Sequence, residues 1–85
     1  MRSFMYTIKI PVGMHARHAG LLVKAATELT SNITVSKGEE SADAKRLLSL
    51  MRMNVKQGDT ITVTVDGENE YEDETKLKAF FFKNF

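Results

Sequence analysis

Chemistry is concentrated in Gly13-Met14-His15-Ala16-Arg17-His18-Ala19, where an extended pattern gives way to a helical one and His15 sits at the join. The first N–H groups of a helix lack intrahelical acceptors, and the peptide dipoles place partial positive charge there. A negative group on His15 would therefore be stabilised. The candidate donors are the amides of Ala16, Arg17 and His18, and the Arg17 guanidinium adds a fixed cation with a planar fork of N–H groups. Imidazole changes protonation near neutral pH, and its neutral form carries a lone pair able to attack. Together these suit a nucleophile that accepts a phosphoryl group and passes it on. A plainer alternative stays open at this point: a surface histidine capping a helix beside a solvated arginine. His15 and His18 also share a helical face, but two imidazoles without a nearby cysteine or carboxylate make a poor metal site, so no metal is expected.

Eighty-five residues allow one small domain, residues 1–85, with a single two-layer core and no deep cleft between domains. That disfavours a self-sufficient enzyme. The absence of cysteine excludes disulfides, thiolate metal sites and cysteine nucleophiles, and it fits a reducing cytoplasm. No apolar run is long enough for a membrane span, and the first residues do not resemble a signal peptide, so we expect a soluble, cytoplasmic protein with no direct membrane insertion. Twelve Lys and Arg against eleven Asp and Glu give a net charge of +1, which provides no global field to recruit nucleic acid. Partners must be recognised locally.

Several elements must position the histidine. Phe4, Tyr6, Ile8 and Ile10 alternate with Met5, Thr7 and Lys9 as in a strand with one buried face, which Pro11 stops. From Ala16 to Leu29 the period becomes helical, with Ala19, Leu22, Val23, Ala26 and Leu29 on one face. Gly20 lies off that face; it leaves room for a partner or is merely tolerated. Ile33 and Val35 point inward from a second strand, and Lys37-Gly38 turns the chain into a weakly patterned third strand over Glu39–Ala42. Asp43 is placed to cap a helix over Ala44–Met53. That helix has more large apolar residues than one stripe can bury. With Leu50 inward, an exposed set drawn from Leu47, Leu48 and Met51 is expected, unless so short a helix is buried all round. Thr60–Val65 is the cleanest strand, and the last helix runs from acidic residues to Lys76, Lys78 and Lys83 with Leu77, Phe80 and Phe81 buried. Phe82 and Phe85 are left unassigned. The order βαββαβα predicts an α+β open-faced sandwich, an antiparallel sheet with all helices on one face.

With these pieces assembled, the chain resembles the histidine-containing phosphocarrier family, HPr, of the phosphoenolpyruvate-dependent sugar phosphotransferase system. The resemblance is carried by Gly13-Met14-His15-Ala16-Arg17, Ala19, Leu21-Leu22-Val23-Lys24, Ala44-Lys45, Leu50-Met51 and Val55-Lys56-Gln57-Gly58-Asp59, in register along nearly the whole chain. It implies a four-stranded antiparallel sheet in the order 1-4-2-3. It also implies that His15 takes phosphate on Nδ1 from Enzyme I and gives it to sugar-specific IIA proteins, with Arg17 as the active-site arginine. Gly20, Lys24, Leu47, Leu48, Met51 and Arg52 become the candidate partner contacts. A monomer without cofactor is expected.

Two positions depart from the family. His18 stands where proline is usual; proline is favoured early in a helix without being required, so the fold should survive with a looser local geometry. Arg46 occupies the place of the regulatory serine of many Gram-positive relatives, so phosphorylation there is excluded, and a cation at a helix start suggests a use in contacting an acidic partner. Besides the carrier, a regulatory docking module of the same fold would keep the Leu and Met patch without needing His15. Nucleic-acid binding is disfavoured by the charge balance.

Overall fold

The computed structural model describes residues 1–85. Its elements are β1 (Arg2–Thr7), α1 (Ala16–Thr27), β2 (Asn32–Lys37), β3 (Glu40–Asp43), α2 (Leu47–Arg52), β4 (Thr60–Asp66) and α3 (Glu70–Asn84). The four strands form one antiparallel sheet in the order β1-β4-β2-β3, with all three helices over one face. Register is set by the alternation of apolar residues: Phe4 opposes Val63, Val63 opposes Val35 and Val35 opposes Ala42, a row that crosses the whole sheet on its covered face. Slipping any strand by one residue would turn that row outward.

The helices close over this row with Ala19, Leu22 and Ala26 of α1, Leu50 of α2, and Leu77 and Phe81 of α3, all buried. Val23, Leu29 and Phe80 pack at the margin. Phe81 is the hub of the α3 contact. Its ring centroid lies 6.0 Å from Phe4, 5.6 Å from Tyr6 and 5.1 Å from Phe85, so helix and edge strand share one aromatic cluster. Phe82 projects into solvent while Phe85 is buried, which assigns the two aromatic residues left open by the sequence.

Several boundaries differ from expectation, among them those of β3, found at Glu40–Asp43 rather than Glu39–Ala42, and the end of α2, at Arg52 rather than Met53. β1 ends at Thr7 rather than at Pro11, because Ile8 leaves the ladder and exchanges hydrogen bonds with the β4-side turn, its N–H donating to Asp59 and its carbonyl accepting Gly58 N–H. α1 ends at Thr27 with Glu28 as its C-cap, short of Leu29. α2 starts at Leu47, not Ala44, and Asp43 does not cap it. Asp43 instead closes β3, its carboxylate accepting Lys45 N–H at 2.9 Å while its carbonyl accepts Arg46 N–H. Ala44 is thereby drawn into the core, donating to Ile33 O.

Polar ties complete the frame. The buried Asp73 carboxylate accepts the Ser31 hydroxyl at 2.6 Å and the Ser31 N–H at 3.2 Å, joining α3 to the start of β2. Arg2 Nε donates to the buried Glu74 at 2.7 Å and fixes α3 to the edge strand. In the turn before β4, Asp59 accepts Lys56 N–H at 2.8 Å, with the Lys37 ammonium at 3.4 Å. The first bond, helped by the second, holds its carboxyl below the usual carboxylate range.

Two outcomes are expected. Ser31→Ala removes a charge-assisted bond from a buried carboxylate and should cost about 1.5–3 kcal/mol by urea denaturation. Because the Asp59 carboxyl is depressed in the fold, its contribution is present above the ordinary carboxylate range and is lost as pH falls through the folded value. Asp59→Asn keeps an acceptor for Lys56 N–H but does not titrate, so below about pH 4 its urea midpoint should fall less steeply with acidification than that of the unmodified protein.

Candidate functional site

The segment that carries His15 is fastened to two remote parts of the chain. Lys9 and Ile10 both donate to the Phe85 oxygen, at 2.7 and 3.2 Å, and Met14 donates to Val55 O at 2.8 Å. Gly13 makes this approach possible. Its φ is +64°, and a Cβ there would stand 2.5 Å from Val55 O and 2.8 Å from Lys56 Cα. Met14, buried beside it, pins the connector, and the next residue, His15, returns to the surface.

His15 is the N-cap residue of α1, with extended backbone at φ −77° and ψ 165°, and its carbonyl accepts Ala19 N–H at 2.8 Å. The imidazole does not cap the helix, so it is uncommitted. The amides of Ala16, Arg17 and His18 donate to no backbone oxygen. No acidic side chain lies in the first turn, and Arg17 is exposed and in no ion pair. An exposed imidazole thus sits near unengaged helix-terminal donors and a guanidinium in no ion pair, groups that favour an anion.

The second group of sequence-selected residues lies on α2, which packs against α1. Leu48 is 68% exposed, and Leu47 and Met51 are exposed beside it, while Leu50 is fully buried. The burial-all-round alternative is therefore excluded. Arg46 is the exposed N-cap of α2; with Leu47, Leu48, Ser49 and Arg52 it lines an open cavity of about 420 Å³. Neither this cavity nor a neighbouring one of about 300 Å³ contains His15. On α1, Lys24 is exposed and Gly20 has open space where a side chain would stand.

Charge is distributed unevenly beneath the net value of +1. Arg17, Lys24, Arg46 and Arg52 have no carboxylate partner, and Lys45 donates to Leu29 O at 3.0 Å rather than to an acid. Acidic residues gather at the start of α3 instead. Sequence reading missed Leu21, a further exposed apolar residue on α1, and Val12 on the connector; helical spacing alone does not distinguish them from core. It also left His18 as a mere departure, whereas its ring meets Phe85 edge-on at 5.7 Å and its Nδ1 is buried without a partner.

A solvent-facing histidine at a helix start, on an open-faced sandwich whose two cavities lie elsewhere, leaves its imidazole open to other molecules. Residues 2–83 match the PTS-HPr family, described as the PTS HPr component phosphorylation site. The chain is 40% identical over 70 residues to phosphocarrier protein HPr of Lysinibacillus sphaericus, covering 82% of this chain and 80% of that one. It is 34% identical to the Mycoplasma genitalium HPr across 99% of this chain and 97% of that protein. A crystal structure of HPr from Thermoanaerobacter tengcongensis superposes with a TM-score of 0.93 at 30% identity, covering 100% of this chain and 96% of that one. The chain belongs to the HPr family of phosphocarrier proteins of the phosphotransferase system.

Gly13→Ala tests the anchoring of the site. It forces a β-carbon into left-handed backbone and against Val55, so a loss of at least about 1–3 kcal/mol is expected from the dihedral alone. Hydrogen-exchange protection of the Met14 amide should fall with it.

Proposed function

We propose that His15 is the phosphoryl acceptor, charged by Enzyme I and discharged to the IIA proteins of sugar permeases. A ring nitrogen forms the N–P bond as the bond from phosphorus to the donor group of Enzyme I breaks, and the donor keeps that electron pair. Transfer to a IIA protein reverses the step, with His15 as the leaving group. The family resemblance implies Nδ1 as the reacting nitrogen. Arg17 and the amides of Ala16, Arg17 and His18 compensate the phosphoryl charge at both stages. The observation that carries this reading is the exposed His15 beside first-turn amides that no protein group occupies.

Phosphoryl transfer needs both reacting groups held nearly in line in a site shielded from water, and a chain of this size supplies one half of it. Leu47, Leu48 and Met51 are the apolar contact that excludes water when a partner docks, and Gly20, Lys24 and Arg52 border it. Arg46, in the place of a regulatory serine, adds a cation rather than a phosphorylation site. The unpaired cations favour acidic partner surfaces and speed encounter without demanding a tight complex. Release matters as much as binding, because one surface serves donor and acceptor in turn. We read the chain as a cytoplasmic monomer whose action needs no metal or cofactor. No helix is long and apolar enough to cross a membrane.

Purified Enzyme I and phosphoenolpyruvate should place one acid-labile, base-stable phosphate on the protein, absent in His15→Ala. Arg17→Gln should slow charging by about tenfold or more, and raising ionic strength should slow the unmodified protein. Full labelling of His15→Ala would overturn the assignment.

A further inference from the structure

We propose that the two cavities beside α2 form one binding groove for a sugar monophosphate, and that an occupied groove obstructs partner docking on Leu47 and Leu48. The first half stands on the groove alone, and the second rests on the reading of those leucines as a docking contact. The cavities measure about 420 and about 300 Å³ and share Ser49 and Arg52, so they adjoin. Neither contains His15.

One end of the groove is cationic. Arg46, the N-cap residue of α2, stands three residues before Ser49 and Arg52 three after it, and both arginines line the larger cavity. Neither guanidinium is in an ion pair. Their planar forks offer several N–H donors to a tetrahedral anion, and Ser49 adds a hydroxyl. A phosphate monoester carries close to two negative charges at neutral pH, which two guanidiniums compensate. A single carboxylate would leave one of them unmatched.

The other end suits a neutral polyol. Glu40 and Ser41 of the edge strand β3 line the smaller cavity with Ser49, Arg52 and Met53, giving a carboxylate acceptor and two hydroxyls. Glu40 and Arg52 face the same cavity yet form no ion pair, so a ligand can bond to each without first breaking a bridge. A second phosphate at this end would meet the Glu40 carboxylate, which selects a monophosphate over a bisphosphate. A nucleotide is disfavoured because no aromatic side chain lines either cavity to stack a base, and a divalent cation because Glu40 is the only carboxylate there. Leu47 and Leu48, both exposed, line the arginine end, so a phosphate held there stands against them.

The test is a titration of the isotope-labelled protein with glucose 6-phosphate, followed through its amide resonances by NMR. Saturable shifts are expected at Ser41, Ser49 and Arg52, with binding about threefold or more tighter than that of inorganic phosphate and weakened about tenfold in Arg46→Gln. Glucose 1,6-bisphosphate should bind no more tightly than the monophosphate despite its greater charge, and should gain affinity in Glu40→Gln. Equal binding of inorganic phosphate overturns the sugar assignment. Amides unmoved by glucose 6-phosphate overturn the groove itself and leave the arginines to the surface of a partner protein. In charging by Enzyme I and phosphoenolpyruvate, glucose 6-phosphate at twice its Kd should slow the unmodified protein by about threefold, the factor 1 + [L]/Kd, and slow Arg46→Gln by less. Binding without slowing overturns the obstruction and keeps the groove. Failure of the unmodified protein to take phosphate removes the reading of His15 and not the titration result, which uses the unmodified chain and so decides the matter even if a variant does not fold.

Discussion

His15 stands exposed at the start of α1 because the backbone leading to it is fastened to parts of the chain far away in sequence. Once Ile8 leaves the sheet, its bonds go to Gly58 and Asp59, those of Lys9 and Ile10 go to Phe85, and that of Met14 goes to Val55. A connector held at so many points cannot relax to satisfy the first amides of the helix. Ala16, Arg17 and His18 therefore keep their N–H groups unused, which is the electrostatic condition for receiving an anion. Glycine at position 13 is the steric requirement of this arrangement, since the connector and the Val55–Lys56 backbone come closer than a side chain permits.

Stability and activity are placed on different parts of the molecule. The aromatic cluster around Phe81, the Ser31–Asp73 bond and the Arg2–Glu74 pair bind α3 to the sheet, and four acidic residues, Glu70, Glu72, Asp73 and Glu74, lie on that helix. The α1 and α2 surface carries unpaired cations and exposed Leu and Met. Pairing those cations internally would add little to the fold, because exposed ion pairs contribute at most modestly. Left free, they are available to a partner. The same logic covers Leu47, Leu48 and Met51: a helix of six residues packed on α1 and β3 can bury only one stripe, and the remainder is left exposed.

The chain belongs to the HPr family, and neither of its two cavities includes His15. Under the proposed function, water exclusion and the in-line partner group would arrive with docking, and the free protein would need only an accessible imidazole and a way to hold charge. His18 alters the start of α1 locally. The helix forms despite the absence of proline, and the substituted ring packs against Phe85 in place of a rigid pyrrolidine.

The amino-acid order alone determined the inward rows Ile33–Val35 and Ile61–Val63–Val65, the core face of α1, the seating of His15 before Arg17, and the surplus of large apolar residues on α2. These follow from local geometry, since side-chain direction repeats every second residue in a strand and about every 3.6 in a helix. Tertiary structure alone decided that β1 stops at Thr7, that α2 begins at Leu47, that Phe85 is buried while Phe82 is not, and that His18 faces an aromatic ring. Each of these depends on a hydrogen bond or contact with a segment remote in sequence, such as Asp59 for Ile8 and Phe85 for Lys9 and His18. Periodicity records which way a side chain points; it contains no information about which distant backbone will take the next hydrogen bond.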